Sequence, residues 1–394
     1  MQEKLWNKEY LKVMTANFSL YFAFYLLTPL LPLYLTEEFN ATKDLVGIVL
    51  SGYTLTALIS RPFSGYFVDT FQRKKVLLWC FFLFFIFFGG YLVASTVVLF
   101  AIIRTFHGFP FGAATVANST VAIDVLPSSR RNEGIGYYGL SNNIAMALAP
   151  TVGIFLYRAT KSFDILFLIS FFIAAIGFIV NSTLKLKDRE LVKNKKKLSL
   201  DRFFLVRGWL LAVNIAFFGF CYGTLSNYVV LFAKQELNIQ TGTGVFFTLL
   251  SLGLILSRLQ GNKGLREGKL TRNAAEGVIV SSIGYTLFVA MPNVYGFYLS
   301  ALLIGLGNGH MYPAFQNMFI SVAHHNERGT ANSSILVAWD IGVGLGVLVG
   351  GFVSEWFNYN ITFWVVAFAQ ISGAVLFLTL TRNFFEKRNL YKQS

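Results

Sequence analysis

The sequence predicts an all-α membrane protein of twelve transmembrane helices, arranged as two pseudo-symmetric six-helix bundles. Three observations lead there. The 394 residues are 55% hydrophobic and only 13% charged, with a mean hydropathy of +0.57, which is not the composition of a water-soluble surface. The apolar residues, 42 Phe among them, come in blocks of about twenty, each enough for a helix to cross a ~30 Å hydrocarbon layer. Residues half a chain apart, at an offset of 394/2 = 197, repeat in kind.

Hydropathy gives spans over 11–35, 45–69, 76–95, 98–125, 135–157, 164–184, 207–233, 244–261, 273–291, 295–323, 331–353 and 361–382. The first run lacks a small-residue cleavage site, so the N-terminus is expected to stay. An even number of spans puts both termini on one side. Segments 1–12, 70–75, 127–134, 185–207, 262–272, 324–330 and 382–394 hold 26 of the 33 Lys and Arg, against Lys43, Arg158, Lys161 and Lys234 in the opposite loops. Both termini are therefore expected in the cytoplasm. The net charge of +14 follows from topology and calls for no nucleic-acid partner.

The basic stretch near the middle, Lys185 to Lys197, is expected to touch anionic membrane lipids. It divides the chain into a bundle over 1–184, a cytoplasmic linker over 185–206, and a second bundle with a short cytoplasmic tail over 207–394. Across it Asn17 returns as Asn214, Tyr25 as Tyr222, Gly47 as Gly244, and Ser60-Arg61 as Ser257-Arg258. Gly108 and Gly112 return as Gly305 and Gly309, and Gly153 as Gly350. A shared offset over four pairs of spans indicates a parallel repeat.

Polar groups inside the spans are the candidate functional residues, because lipid penalises them. Asn17, Tyr21, Tyr25 and Thr28 form one helix face in span 1, and Asn214, Phe218, Tyr222 and Ser226 another in span 7. Span 4 carries Arg104 and His107; span 10 carries Asn308, His310, Gln316 and Asn317. An arginine at mid-membrane costs about 2.5–3.5 kcal/mol unless it faces water, an acid or backbone carbonyls. Arg104 therefore either binds an anionic group of a substrate or bonds to neighbouring helices. Asp340, deep in span 11, is the candidate protonation site. Gly342, Gly346 and Gly350 recur every four residues, a spacing that lets helices approach closely.

The loop Gly65-Tyr-Phe-Val-Asp69-Thr-Phe-Gln-Arg73-Lys74-Lys75 resembles the signature of the major facilitator superfamily. Arg104-Thr-Phe-His-Gly108 with Gly112, Asp124 and Pro127-Ser-Ser-Arg130-Arg131 resembles its second motif and cytoplasmic boundary. Drug/metabolite:proton antiporters are the branch it looks most like. Span 5 keeps only Pro150 and Gly153 of the antiporters' Gly-Pro element. Span 1 lacks the acids of many proton-coupled exporters, and the second signature copy, Arg258 to Lys269, has degenerated.

The resemblance implies a secondary transporter working by alternating access, exporting a small amphipathic compound or metabolite in exchange for protons. An anionic metabolite recognised by Arg104, taken up or facilitated, is the alternative. By the same resemblance spans 1, 4, 7 and 10 line a central cavity. Asn17, Tyr21, Tyr25, Arg104, His107, Asn214, Tyr222, Ser226, His310 and Gln316 are the expected contacts. Gly65, Asp69, Arg73 and Asp124 would form a cytoplasmic gate, and Asp340 would couple protons. A monomer in the bacterial inner membrane is expected. Cys80 and Cys221 suit neither a disulfide framework nor a metal site. With no nucleotide-binding loop either, neither a cofactor nor an enzyme is expected.

Overall fold

Five helices begin at an Asn, Ser or Thr whose side chain accepts an N–H of the first turn: Asn7, Thr96, Ser162, Asn293 and Asn358. These caps satisfy backbone donors that the helix itself leaves open. The computed structural model describes residues 5–127, 131–186, 204–239, 242–266, 269–323 and 328–390. In chain order the helices are α1 (Lys8–Leu27), α2 (Leu31–Phe39), α3 (Lys43–Thr70), α4 (Arg73–Leu92), α5 (Val97–Val125), α6 (Arg131–Thr160) and α7 (Phe163–Ser182). There follow α8 (Trp209–Gln235), α9 (Thr243–Arg266), α10 (Leu270–Ala290), α11 (Val294–Ser321), α12 (Arg328–Trp356) and α13 (Tyr359–Leu376). A π-helical turn, Phe377–Thr381, leads into α14 (Arg382–Arg388).

Each predicted span finds its helix, with two differences. The first span is broken into α1 and α2, bent by 42°. Pro29 removes a backbone donor and clashes with the preceding turn, while Pro32 suits the start of a new helix. By length and composition, nine of the described helices can cross a membrane, ten if the bent pair counts as one span. The other two are α9, whose described apolar part is only Thr243–Ser257, and α11. The latter has 28 residues, but Gly307-Asn308-Gly309-His310 interrupts its apolar run.

The chain forms two compact units, Met1–Ala41 with Gly52–Lys195, and Thr42–Ser51 with Lys196–Ser394. The division between 195 and 196 falls in the expected linker, most of which (187–203) lies outside the described residues. Thr42–Ser51, expected in the first bundle, groups with the second unit. In it, a side chain at Gly47 would press on Leu348 O at 3.0 Å and Gly351 Cα at 3.1 Å. The Lys43 Nζ reaches Ser354 O at 3.1 Å, and its backbone N–H donates to Glu355 Oε2 at 2.8 Å.

In the first unit α1 packs on α6 and α7, and α4 on α5 and α7. Tyr34, Phe100, Phe167 and Tyr91 join rings in its core. A side chain added at Gly108 or Gly112 of α5 would run into the carbonyls of Tyr53 and Ala57 on α3. In the second unit Gly305 and Gly309 of α11 face Leu250 and Leu254 of α9 in the same way. Glycines and facing carbonyls are all displaced by 197 positions, so the repeat read from sequence is a repeat of packing.

α8 is buried along most of its length. Four glycines interlock it with α12: Gly219 and Gly223 face the carbonyls of Trp339 and Val343, while Gly342 and Gly346 face those of Ala216 and Phe220. This is the close approach expected of the four-residue glycine spacing.

Candidate functional site

Arg104 organises the polar part of the first unit. It is 4% exposed, and its guanidinium carbon lies 3.9 Å from the Tyr53 ring centre and 5.7 Å from that of Phe24. Nη1 donates to the Tyr91 hydroxyl at 3.0 Å, and that hydroxyl shares a 2.6 Å hydrogen bond with His107 Nδ1. No described carboxylate bonds to Arg104. His107 is fully buried and packed by Phe84, Phe87 and Phe88, not set on an open surface as expected of a cavity contact. Tyr53 and Tyr91, which the sequence reading did not single out, are the groups that complete this cluster. Tyr21 and Tyr25 of α1 are half-buried and stacked at 6.1 Å, and Tyr21 meets the edge of Phe111.

Asn17 is also fully buried. Its amide donates to Ser141 Oγ at 2.8 Å, and Asn118 donates to the Tyr138 hydroxyl at 3.0 Å and to Asn17 Oδ1 at 3.5 Å. The network ties α1 to α5 and α6. Asn118 lies fourteen residues, close to four helical turns, beyond Arg104 on α5, so helical phase was the signal that could have found it. Asn214 does in the second unit what Asn17 does in the first. It donates to Gly373 O at 2.8 Å and accepts from the Thr381 hydroxyl, joining α8 to α13 and the π-helical turn.

In the second unit Trp339 lies between Tyr222, with ring centres 5.5 Å apart, and the edge of Tyr312 at 5.3 Å. Asp340, the next residue, is half-buried. Ser226 is buried and bonds back to Gly223 O. On α11 Asn308 accepts from Ser281 Oγ at 3.2 Å, half-buried His310 bonds to Leu306 O through Nδ1, and Gln316 is half-buried.

Where α4 begins and α5 ends, Arg73 forms an ion pair with both carboxylate oxygens of Asp124. These side chains are 19% and 35% exposed. A pairing of Arg73 with Asp69 one turn away would involve a side chain outside the described ones; Gly65 lies within α3.

The sequence matches the Major Facilitator Superfamily over residues 13–271 and 275–392. The chain belongs to this superfamily. Its members are transporters, not enzymes. This superfamily member is 22% identical to the staphylopine export protein of Staphylococcus aureus (strain Mu50), over 89% of each chain. It is equally similar to the quinolone resistance protein NorA of Staphylococcus aureus (strain MRSA252), covering 88% of this chain and 89% of the relative. The MFS-type transporter YhhS of Escherichia coli (strain K12) is 22% identical too, over 95% of this chain and 92% of its own.

Among solved structures, peptide transporter POT superposes with a TM-score of 0.81 at 13% identity, covering 98% of this chain and 97% of that one. A bacterial homologue of the human lysosomal transporter Spinster gives a TM-score of 0.75 at 14% identity, over 97% and 99%. At such identities these superpositions speak to the fold alone.

Proposed function

We propose that this transporter works by alternating access in the bacterial inner membrane and exports a small amphipathic compound or metabolite in exchange for protons. Position carries the reading. Asp340 is the thirteenth of the 29 residues of α12, whereas every other described carboxylate lies within about two turns of a helix end or in a loop. A mid-span acid is a functional residue by default. Protonation of Asp340 from outside and deprotonation inside would bias two conformations through their different proton affinities, and substrate would move outward on the return. The name of the staphylopine export protein supports the outward direction.

Tyr21, Tyr25 and Arg104 in the first unit, and Tyr222, Ser226, His310 and Gln316 in the second, are the proposed substrate contacts. Asn17, His107 and Asn214 would hold the helices that carry them. Arg73 and Asp124, with Gly65 and Asp69, would gate the cytoplasmic side. Both termini are proposed to be cytoplasmic and the working unit a monomer.

Proteoliposomes with an imposed pH gradient test the coupling. Asp340→Asn is expected to keep exchange between labelled pools and to lose accumulation against a gradient. Retained gradient-driven accumulation would remove Asp340 from the mechanism.

One observation favours a second reading. Arg104 is a buried cation with no bonded carboxylate among the described residues, which suits uptake or facilitated movement of an anionic metabolite. Loss of anion transport alone in Arg104→Lys would favour it; equal loss for neutral and anionic compounds would assign the arginine to structure.

A further inference from the structure

We propose that the corner between α3 and α4 is a binding site for the phosphate of an anionic phospholipid, held by Lys75. A groove of about 560 Å³ runs along this corner, lined by Phe67, Phe71, Gln72, Lys75, Trp79 and Cys80 among others. Lys75 and Trp79 lie on one face of α4, four residues apart, and Gln72 is the residue that precedes the helix. Phe71 is 52% and Trp79 64% exposed, and in a membrane such rings meet the interface and the acyl chains.

The three consecutive cations here are used differently. Arg73 is committed to Asp124, and Lys74 donates its Nζ to Leu184 O at 2.7 Å. Lys75 is exposed, and its Nζ has no ion pair or hydrogen bond among the described residues. A lone ammonium above an apolar, aromatic groove matches a ligand with one anionic head and apolar tails. A peptide would also need partners for its backbone polar groups, and besides Lys75 the lining offers little more than the Gln72 amide and the Trp79 indole N–H. The proposal rests on the cytoplasmic placement of the α3–α4 turn, where anionic lipids concentrate.

Trp79 is a built-in reporter. In full-length protein with Trp6, Trp209, Trp339, Trp356 and Trp364 replaced by Phe, brominated phosphatidylglycerol in both leaflets should quench Trp79 at about fivefold lower mole fraction than brominated phosphatidylcholine. Lys75→Gln should abolish the preference and Lys75→Arg keep it. Equal quenching by the two lipids, or a preference unchanged in Lys75→Gln, overturns the site. Quenching by neither lipid means that protein covers the groove, and overturns it too.

Should the tryptophan replacements unfold the chain, native mass spectrometry of the unmodified protein serves instead. One anionic-lipid adduct should be lost in Lys75→Gln, and an identical adduct count overturns the proposal. Sidedness is read separately, by reaction of Gln72→Cys with an impermeant thiol reagent in a chain lacking Cys80 and Cys221. A failed lipid test is thereby distinguished from a wrong topology.

Discussion

The guanidinium of Arg104 lies over the ring of Tyr53, 3.9 Å from carbon to ring centre. A desolvated cation–ring contact contributes about 2 kcal/mol, and a hydrogen bond such as that to Tyr91 about 1 kcal/mol more. Together they are comparable to the ~2.5–3.5 kcal/mol cost of an arginine at mid-span. The aromatic cluster therefore stabilises a cation that no carboxylate among the described residues bonds. Tyr53→Leu should lower stability by about 2 kcal/mol, measured as the unfolding free energy in mixed micelles. Arg104→Leu should cost less, because it removes the desolvated cation together with its contacts, whereas Tyr53→Leu leaves that cation buried without one of them. A larger loss in Arg104→Leu than in Tyr53→Leu would contradict this account.

Exposure limits what the Arg73–Asp124 pair contributes to stability. With side chains 19% and 35% exposed, the pair is worth about 0–1 kcal/mol. Asp124→Asn should accordingly leave the melting temperature nearly unchanged while altering the transport rate severalfold. The charge reversal Arg73→Asp with Asp124→Arg should restore much of the rate. Thermal shift and initial-rate assays on the same preparations separate the two effects, and an unaltered rate in Asp124→Asn would reduce the pair to a surface contact.

Asn214 should behave as a strut. Asn214→Ala removes the bonds to Gly373 and Thr381, and at about 0.6 kcal/mol per interhelical bond in membranes the expected loss is ~1 kcal/mol. Substrate affinity should stay within a factor of about two of the parent. A loss of affinity with stability intact would return Asn214 to the list of direct contacts. Asn17→Ala should follow the same pattern through Ser141 and Asn118.

Gly108 and Gly305 should respond alike, since each abuts a carbonyl at the same repeat position. Valine at either site must push two backbones apart, and overpacking of this kind costs about 1–3 kcal/mol or more. Gly139 meets nothing within 4 Å, so Gly139→Ala serves as the control and should not lower thermal stability, since alanine favours a helix interior over glycine. Detergent-solubilised melting curves of the three variants provide the check.

The hydrophobic segments and the 197-residue offset were readable because burial in lipid imposes long apolar runs and because duplicated halves keep their close-packed glycines. Gly108 and Gly305 were visible as a pair, and the structure adds that Tyr53 and Leu250, also 197 apart, supply the facing carbonyls. Rotation and tilt between helices were not readable. Spacing put Arg104 and His107 on one face, but not that Tyr91 would join them or that phenylalanines would enclose the imidazole. Arg73 was expected to join both Asp69, one turn back, and Asp124; its bond to Asp124, 51 positions on, forms where α4 begins and α5 ends, and the Asp69 side chain lies outside the described ones. The break at Thr28 to Leu30 had its prolines in plain view. Hydropathy averages over such a window and gives a continuous block.

The reciprocal glycine contacts between α8 and α12 have a mechanical consequence. Each helix sets notches into the other's backbone at two heights, so neither sliding nor rolling is open to one without the other. Tyr222 and Asp340 are thus mounted on a single stiff spar. Under the proposed mechanism, a change in the electrical state of the carboxylate would be met by displacement of the whole spar, not by slack between its two members.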